Sequence, residues 1–125
     1  MYLLDTNVVI DFCNAKLPSK ARNLLNGIDP AMSVITRIEL FASSKIPDKE
    51  RRALEGFVNT STVYDNINQA IALRAIGIRQ QHNIKLPDSI IAATALVNNQ
   101  ILISRNTSDF QNIEGLQLIN PYALQ

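Results

Sequence analysis

The chain has 125 residues, which is enough for one domain with a buried core. Hydrophobic residues make up 46% of the sequence and charged residues 18%, a profile typical of a globular protein rather than a disordered one. Twelve basic and 11 acidic residues leave a net charge of +1, which excludes a nucleic-acid binder that works through a large basic surface alone. Binding to nucleic acid would have to be local, or use metal ions to bridge like charges.

The predicted elements alternate between short apolar runs and helical patterns. In chain order, the pattern predicts a strand at 1–5, helices at 6–14 and 20–26, a strand at 31–35, helices at 36–44 and 48–59, a strand at 61–65, helices at 67–81 and 89–97, and strands at 100–105 and 117–120. Gly27, Pro47 and Pro121 separate these elements. Strands that alternate with helices favour an α/β fold, in which a parallel sheet lies between two helix layers.

The single cysteine and the N-terminal segment indicate the cellular compartment. Cys13 has no partner for an internal disulfide and lies in an apolar run, so we expect a small core residue in a reducing environment. Asp5 and Asp11 interrupt the first apolar stretch, which argues against a signal peptide. No run of about 18 apolar residues is present to span a membrane. We therefore expect a soluble cytoplasmic protein.

Four acidic residues occupy positions that call for an explanation. Asp5 ends the first predicted strand in "MYLLDTN", although burying an unpaired carboxylate is unfavourable. Glu39 lies in the apolar helix after the second strand, and Asp109 follows the fourth strand. Asp88 begins the helix that leads into the fourth strand. Ligands of open parallel sheets bind at the carboxyl ends of the strands, where the strand order reverses, so these four acids are candidates for one site.

Each of the four acids also has a purely structural interpretation. The alternatives are Asp5 and Asp88 as helix N-caps, Thr36 with Glu39 as a capping box, and Asp109 as a cap or as the residue that closes a turn begun at Asn106. Helix capping explains the four acids less well together than one at a time, because Glu39 has no basic side chain among its helical neighbours. Four converging acids without local partners repel one another, which implies that a cation belongs among them.

Mg²⁺ or Mn²⁺ is the expected cation. Both ions favour carboxylate oxygens and keep several waters, so they need neither His nor Cys. His82 and Cys13 are the only residues of those types, and neither has a ligand-like spacing to an acid, so zinc is not expected. His82 is interpreted as a solvated residue at a helix end. Magnesium ions among carboxylates carry out phosphodiester cleavage, which makes a nuclease the leading functional hypothesis.

Four segments together resemble the PIN-domain family, and most closely its bacterial VapC-type toxins. They are "LLDTNVVIDF", "ITRIEL", "LPDSIIAATAL" and "ILISRNTSDF", in this order along the chain. The resemblance implies one PIN-like domain over residues 1–125, with an α/β/α sandwich and a parallel sheet of about five strands. It also implies a Mg²⁺- or Mn²⁺-dependent endoribonuclease that acts as the toxin of a toxin–antitoxin pair, with RNA as substrate, a small antitoxin as partner, and a homodimer.

The resemblance also assigns roles to individual residues. The catalytic and metal-binding acids of the family fall on Asp5, Glu39, Asp88 and Asp109. The supporting polar positions fall on Thr6, Ser104 and Asn106, where Asn106 is expected to position Asp109 or a metal-bound water. The family often has Thr at the position of Ser104; serine keeps the hydroxyl, so only fine positioning is affected.

Several nearby residues are interpreted separately from the four acids. Asn7 and Asp11 share the first motif and are interpreted as supports of the helix start rather than as ligands. Arg37 and Arg105 lie close to the acids in sequence, and contacts to substrate phosphates and structural ion pairs are equally compatible with that position. The alternative to a nuclease is a PIN-like module that binds RNA or a protein without cutting, which the presence of all four acids disfavours.

Overall fold

Five parallel strands make up one sheet in the computed structural model, which describes residues 1–124. The strands are β1 (Tyr2–Leu4), β2 (Pro30–Ser33), β3 (Thr62–Tyr64), β4 (Ile101–Ile103) and β5 (Leu118–Ile119). The helices are α1 (Thr6–Cys13), α2 (Ser19–Asn26), α3 (Val34–Leu40), α4 (Asp48–Asn59), α5 (Gln69–Gln81), α6 (Leu86–Val97) and α7 (Thr107–Phe110), followed by a 3-10 turn at Pro121–Ala123. The predicted α/β/α sandwich with a five-stranded parallel sheet is confirmed.

Two hydrophobic cores cover the two faces of the sheet. Successive residues of a strand point to opposite faces, so Leu3 packs with α5 and α6 whereas Leu4 packs with α1, α2 and α4. Both leucines have no exposed surface. The central strand is therefore held from both sides, which makes the residue that follows it a rigid position. Within residues 1–124, no helix has both the length and the apolar character needed to cross a membrane.

The strand order places a topological switch point beside β1. The order across the sheet is β3-β2-β1-β4-β5, so the chain builds outward from β1 through β2 and β3 and then returns to the other side of β1. The backbone N–H of Asp5 donates to the carbonyl of Ile103 at 2.9 Å, which extends the β1–β4 pairing by one residue. The crevice for a ligand is thus expected where β1 and β4 end, immediately before Asp5 and Ser104.

Several predicted boundaries are wrong. The strand predicted at 31–35 ends at Ser33, whose hydroxyl accepts a hydrogen bond from the backbone N–H of Ile35 at 3.0 Å and so begins α3 two residues early. The helix predicted at 89–97 begins at Leu86, because proline is well accommodated in the first turn of a helix. The four-residue helix α7 lies in a segment for which no element was predicted.

Candidate functional site

Asp5 is the most deeply placed of the four acids, with 7% of its surface exposed. One carboxylate oxygen accepts a hydrogen bond from the backbone N–H of Thr6 at 2.8 Å, and the other accepts one from the hydroxyl of Ser104 at 2.7 Å. Asp5 is the N-cap of α1, so the capping interpretation is correct for this residue. The bond from Ser104 crosses from the end of β4 to the end of β1, and the two bonds together offset the cost of burying the carboxylate.

The same serine also links Asp5 to Asp109. The backbone N–H of Asn106 donates to the hydroxyl oxygen of Ser104 at 2.9 Å, and the side-chain amide of Asn106 donates to Asp109 at 2.8 Å. Asp109 lies in the single-turn helix α7, which begins directly after Asn106, so the interpretation of Asp109 as the residue that closes a turn begun at Asn106 is correct. A continuous chain of hydrogen bonds therefore runs from the end of β1 to α7, and it includes the predicted supporting residues Ser104 and Asn106.

Glu39 reaches the site from the last turn of α3. Its carboxylate accepts a hydrogen bond from the hydroxyl of Thr6 at 2.7 Å, although the two residues are 33 positions apart. The capping-box interpretation of Thr36 and Glu39 is wrong, because Ser33 caps α3 and Thr36 lies inside the helix. Thr6 thus contacts Asp5 through its backbone and Glu39 through its side chain, which matches its predicted supporting position.

Asp88 lies in the first turn of α6, where Lys85 is the N-cap, so the N-cap interpretation of Asp88 is wrong. Burial is the main cause that raises the pKa of Asp88 to about 6, and the charges of Asp5, Asp109 and Glu39 raise it further, against a smaller opposing effect of Lys85. Electrostatic coupling of Asp88 to the other three acids means that all four lie at the same edge of the sheet. The structure thus brings together all four residues that the sequence singled out.

The donor chemistry of the four acids fits a hydrated Mg²⁺ or Mn²⁺ ion, although a closed binding site is not preformed. In the described part of the chain, no group of three or more His, Cys, Asp or Glu side chains has the arrangement of a ready-made metal site. The two ion pairs found there, Arg37–Asp65 and Arg105–Asp11, include none of the four acids. Hard oxygen ligands without a paired base suit an ion that needs only one or two carboxylates and fills its other positions with water.

Asp11 and the two arginines have structural contacts. Asp11 lies beyond the first turn of α1, where it accepts a hydrogen bond from the Tyr122 hydroxyl, so its interpretation as a support of the helix start is wrong. A guanidinium nitrogen of Arg105 lies 3.7 Å from a carboxylate oxygen of Asp11. The guanidinium carbon lies 5.3 Å from the centre of the Tyr122 ring. Arg37 pairs with Asp65 at 2.7 Å. Both arginine side chains remain about half exposed, at 52% and 55%, so these ion pairs leave surface available for other contacts.

Of the remaining residues named from the sequence, Cys13 is only partly buried and packs against one of the two cores rather than inside it. Asn7 is exposed in the first turn of α1, and His82 lies at the C-terminal end of α5. Burial raises the pKa of the Cys13 thiol to about 11, so this thiol is not a nucleophile at neutral pH. Sequence reasoning assigned no site role to Thr36, whose fully buried hydroxyl lies 3.1 Å from that of Thr6. The spacing of three residues to Glu39 was the available signal, and it was assigned to a cap instead.

Comparisons with known proteins agree with this geometry. The profile of the PIN domain family matches residues 2–116. A protein of Shigella flexneri named tRNA(fMet)-specific endonuclease VapC is 30% identical over 125 residues, which cover 93% of this chain and 94% of that protein. A chain of a toxin–antitoxin complex from Klebsiella pneumoniae is 36% identical with a TM-score of 0.80, over 99% of this chain and 100% of that one. A chain of VapBC-1 from nontypeable Haemophilus influenzae is 28% identical with a TM-score of 0.77, over 96% and 97%.

We expect the protein in EDTA to lose stability as the pH rises from about 4 to about 6. The pKa of Asp88 is about 6 in the folded chain against an ordinary value of 3.8, so the folded state binds more protons between these values and the free energy of unfolding falls as the pH rises. Asp88→Asn removes this contribution. The variant should therefore unfold at a higher urea concentration than the wild type at pH 7, and the difference should shrink at pH 4.

The control for this measurement is Asp29→Asn, which changes an exposed aspartate in the loop between α2 and β2. Its urea midpoint should follow that of the wild type at both pH values. A variant Asp88→Asn that is less stable than the wild type at pH 7 would contradict the conclusion that a charged Asp88 destabilises the fold through burial and through repulsion by the other acids.

Proposed function

This chain belongs to the PIN-domain family, and from that membership we propose that it is a Mg²⁺- or Mn²⁺-dependent endoribonuclease and the toxin of a toxin–antitoxin pair. The observation that carries the proposal is the convergence of Asp5, Glu39, Asp88 and Asp109 at the switch point of the sheet. A PIN-like module that only binds RNA or protein has no need of four acids that repel one another. The relative from Shigella flexneri, named as a tRNA(fMet)-specific endonuclease, supports cleavage of RNA.

In this proposal the four acids hold the metal, and their neighbours orient them. A bound Mg²⁺ or Mn²⁺ supplies an activated water and stabilises negative charge on the phosphate. Ser104 and the backbone of Thr6 fix both oxygens of Asp5, while Asn106 fixes Asp109. Because these contacts join two strand ends and a helix, the carboxylates are positioned before substrate arrives, which is what an active site requires. We place the protein in the cytoplasm, where its proposed RNA substrate is found.

The proposed partner is a small antitoxin that blocks the four acids. Support comes from the likeness to a chain of the Klebsiella pneumoniae toxin–antitoxin complex, at 36% identity over nearly the full length. An arginine of the partner would match the site, since a guanidinium forms bidentate hydrogen bonds with a carboxylate and replaces the charge of the metal. With a net charge of only +1, the chain offers no strong global attraction, so recognition would depend on this local contact.

We also propose that the protein forms a homodimer through an apolar surface formed by α5, α6 and the segment just before α5, hereafter the α5–α6 patch. Four hydrophobic side chains of this region are exposed: Ile67 (45%), Leu73 (59%), Ile76 (54%) and Leu86 (53%). Ile67, Ile76 and Leu86 line a groove of about 570 Å³. A surface of this kind is typical of a protein–protein contact, and a second copy is the partner that the family resemblance implies.

The first prediction from the proposed function ranks the acids. Asp5→Asn and Asp88→Asn should abolish RNA cleavage, since β1 and α6 hold these carboxylates on rigid elements. In this proposal Asp109 contacts the metal through a bound water rather than directly. Asp109→Asn should therefore leave a measurable activity that increases with Mn²⁺, because the amide oxygen of asparagine still accepts a hydrogen bond from that water. Single-turnover cleavage of one RNA, with each variant checked by circular dichroism, measures the ranking.

The wild type should also melt at a higher temperature in Mn²⁺ than in EDTA, because an ion that binds only the folded state stabilises it by about 2.7 kcal/mol at a hundredfold excess over Kd. Asp29→Asn serves as the charge-matched control for both assays and should behave as the wild type.

If Asp109→Asn is as inactive as Asp5→Asn at every Mn²⁺ concentration, Asp109 is a direct ligand and the ranking of the acids is wrong. A wild type that cleaves RNA equally in EDTA would contradict metal dependence.

The toxin role predicts a growth phenotype. Expression of the wild-type chain should arrest bacterial growth, whereas expression of Asp5→Asn should not. Co-expression of the small protein encoded beside the gene should restore growth to the cells that express the wild-type chain. Growth curves with immunoblots for the level of each protein measure this. Normal growth of cells that contain folded wild-type protein would contradict the toxin role. It would not contradict the assignment of the fold.

The dimer proposal predicts that a charge placed in the α5–α6 patch dissociates the protein. Ile76→Glu should elute as a monomer in size-exclusion chromatography with light scattering, because burying an unpaired carboxylate in an apolar contact is unfavourable. Ile38→Glu is the matched control, since Ile38 is 60% exposed but lies on α3, and this variant should remain dimeric. A wild type that is monomeric at all concentrations tested would refute the homodimer.

A further inference from the structure

The hydroxyl of Thr36 lies at the inner end of a short row of polar atoms behind the site. Thr36 has no exposed surface, and its oxygen lies 3.1 Å from the hydroxyl oxygen of Thr6. The hydroxyl of Thr6 is in turn 2.7 Å from the carboxylate of Glu39. Thr36 and Glu39 are three residues apart in α3 and therefore share a helix face, so one side chain of α1 contacts both.

Counting protons assigns the direction of these two hydrogen bonds. Thr6 has one hydroxyl proton, so it donates to only one of its two neighbours. An ionised Glu39 carboxylate has no proton to give and is an acceptor only. Thr6 must therefore donate to Glu39 and accept from Thr36, and the row has the single direction Thr36 to Thr6 to Glu39.

Two buried hydroxyls of helix α6 behave differently from that of Thr36. Ser89 and Thr94 in α6 each donate to a carbonyl of their own helix, at 2.7 Å in both cases, which is the usual way in which a helix satisfies a buried hydroxyl. The hydroxyl of Thr36, in contrast, forms its hydrogen bond with Thr6, which lies on a different helix, α1. Its hydroxyl thus serves a contact between α1 and α3 rather than the helix in which it lies.

We propose that Thr36 is a positioning residue that keeps the Thr6 hydroxyl directed at Glu39 and so holds Glu39 in place for catalysis. The inference rests on the proposed nuclease function. The hydroxyl of Thr6 can rotate, and Asp5 offers a second negatively charged acceptor next to it in the chain. A donor fixed in the core on the other side of Thr6 leaves its proton only the direction of Glu39. Residues that orient a catalytic ligand in this way commonly contribute 10- to about 100-fold to activity.

Two substitutions separate this role from simple packing. Thr36→Val keeps the shape of the side chain and removes the hydroxyl, whereas Thr36→Ser keeps the hydroxyl and removes a buried methyl group. If Thr36 positions Glu39, Thr36→Val should lower kcat about 10- to 100-fold with little change in KM, and Thr36→Ser should stay close to the wild type. Urea unfolding should give the opposite order, with Thr36→Ser the less stable variant, because it lacks buried apolar surface.

A second measurement uses the protein in EDTA and needs no cleavage. Three-bond NMR couplings to the Thr6 methyl group report the rotamer of Thr6. They should indicate one rotamer in the wild type and in Thr36→Ser, and averaging over several in Thr36→Val. If the Thr36→Val variant keeps the wild-type kcat, or if Thr36→Ser loses as much activity as Thr36→Val, the positioning role is wrong.

Failure of the inference can be distinguished from failure of the proposed function. If the wild type cleaves RNA and Thr36→Val cleaves it equally well, only the role of Thr36 is refuted. If the wild type does not cleave RNA in Mg²⁺ or Mn²⁺, the nuclease function is refuted. In that case the NMR couplings still decide whether Thr36 fixes the side chain of Thr6.

Discussion

The hydrogen bond from Ser104 to Asp5 joins the carboxyl ends of strands β1 and β4, and the rest of the site depends on this contact. The residues are 99 positions apart, and each follows a strand of the central β1–β4 pair. A carboxylate that is 7% exposed is tolerated there only because both of its oxygens are hydrogen-bonded. From this bond the ordered contacts extend through Asn106 to Asp109 on one side, and through Thr6 to Glu39 on the other.

The electrostatics of the site run against stability in the absence of a cation. The pKa of Asp88 is raised to about 6, mainly because its carboxyl is partly buried and further because the charges of Asp5, Asp109 and Glu39 repel its ionised form. Lys85 opposes this effect only in part, and Arg37 and Arg105 pair with Asp65 and Asp11 instead of with the four acids. A sheet held from both faces by two hydrophobic cores can carry such a cost, because Leu3 and Leu4 fix β1 independently of the charges.

Helix capping and site formation are not exclusive explanations for an acidic residue. Asp5 is both the N-cap of α1 and a member of the site. Ser33 caps α3, and Lys85 occupies the N-cap position of α6 without a side-chain capping hydrogen bond, so neither Glu39 nor Asp88 is an N-cap. The C-terminal segment has its own connection to α1, in which Tyr122 donates to Asp11. Partial burial and this hydrogen bond raise the pKa of Tyr122 to about 12, so it is a donor at neutral pH.

The sequence by itself determined the order and type of the main elements, the parallel α/β architecture and the four acids. These properties follow from local apolar periodicity and from the chemistry of residue types, and both are readable without contacts. Short-range errors arose where two local signals competed. The apolar run at 31–35 hides the cap at Ser33, and α7 is too short to show a helical period.

Only the tertiary structure decided which side chains serve the acids. Thr6 and Glu39 are 33 positions apart, and Ser104 and Asp5 are 99 apart, so no local spacing encodes their hydrogen bonds. Thr36 is a further case in which local spacing does not predict the hydrogen bond that a side chain forms. Its spacing to Glu39 fits a capping box, and only the position of α1 against α3 turns its hydroxyl toward Thr6 instead. Contacts between elements depend on how the helices pack on the sheet, which is a property of the whole fold.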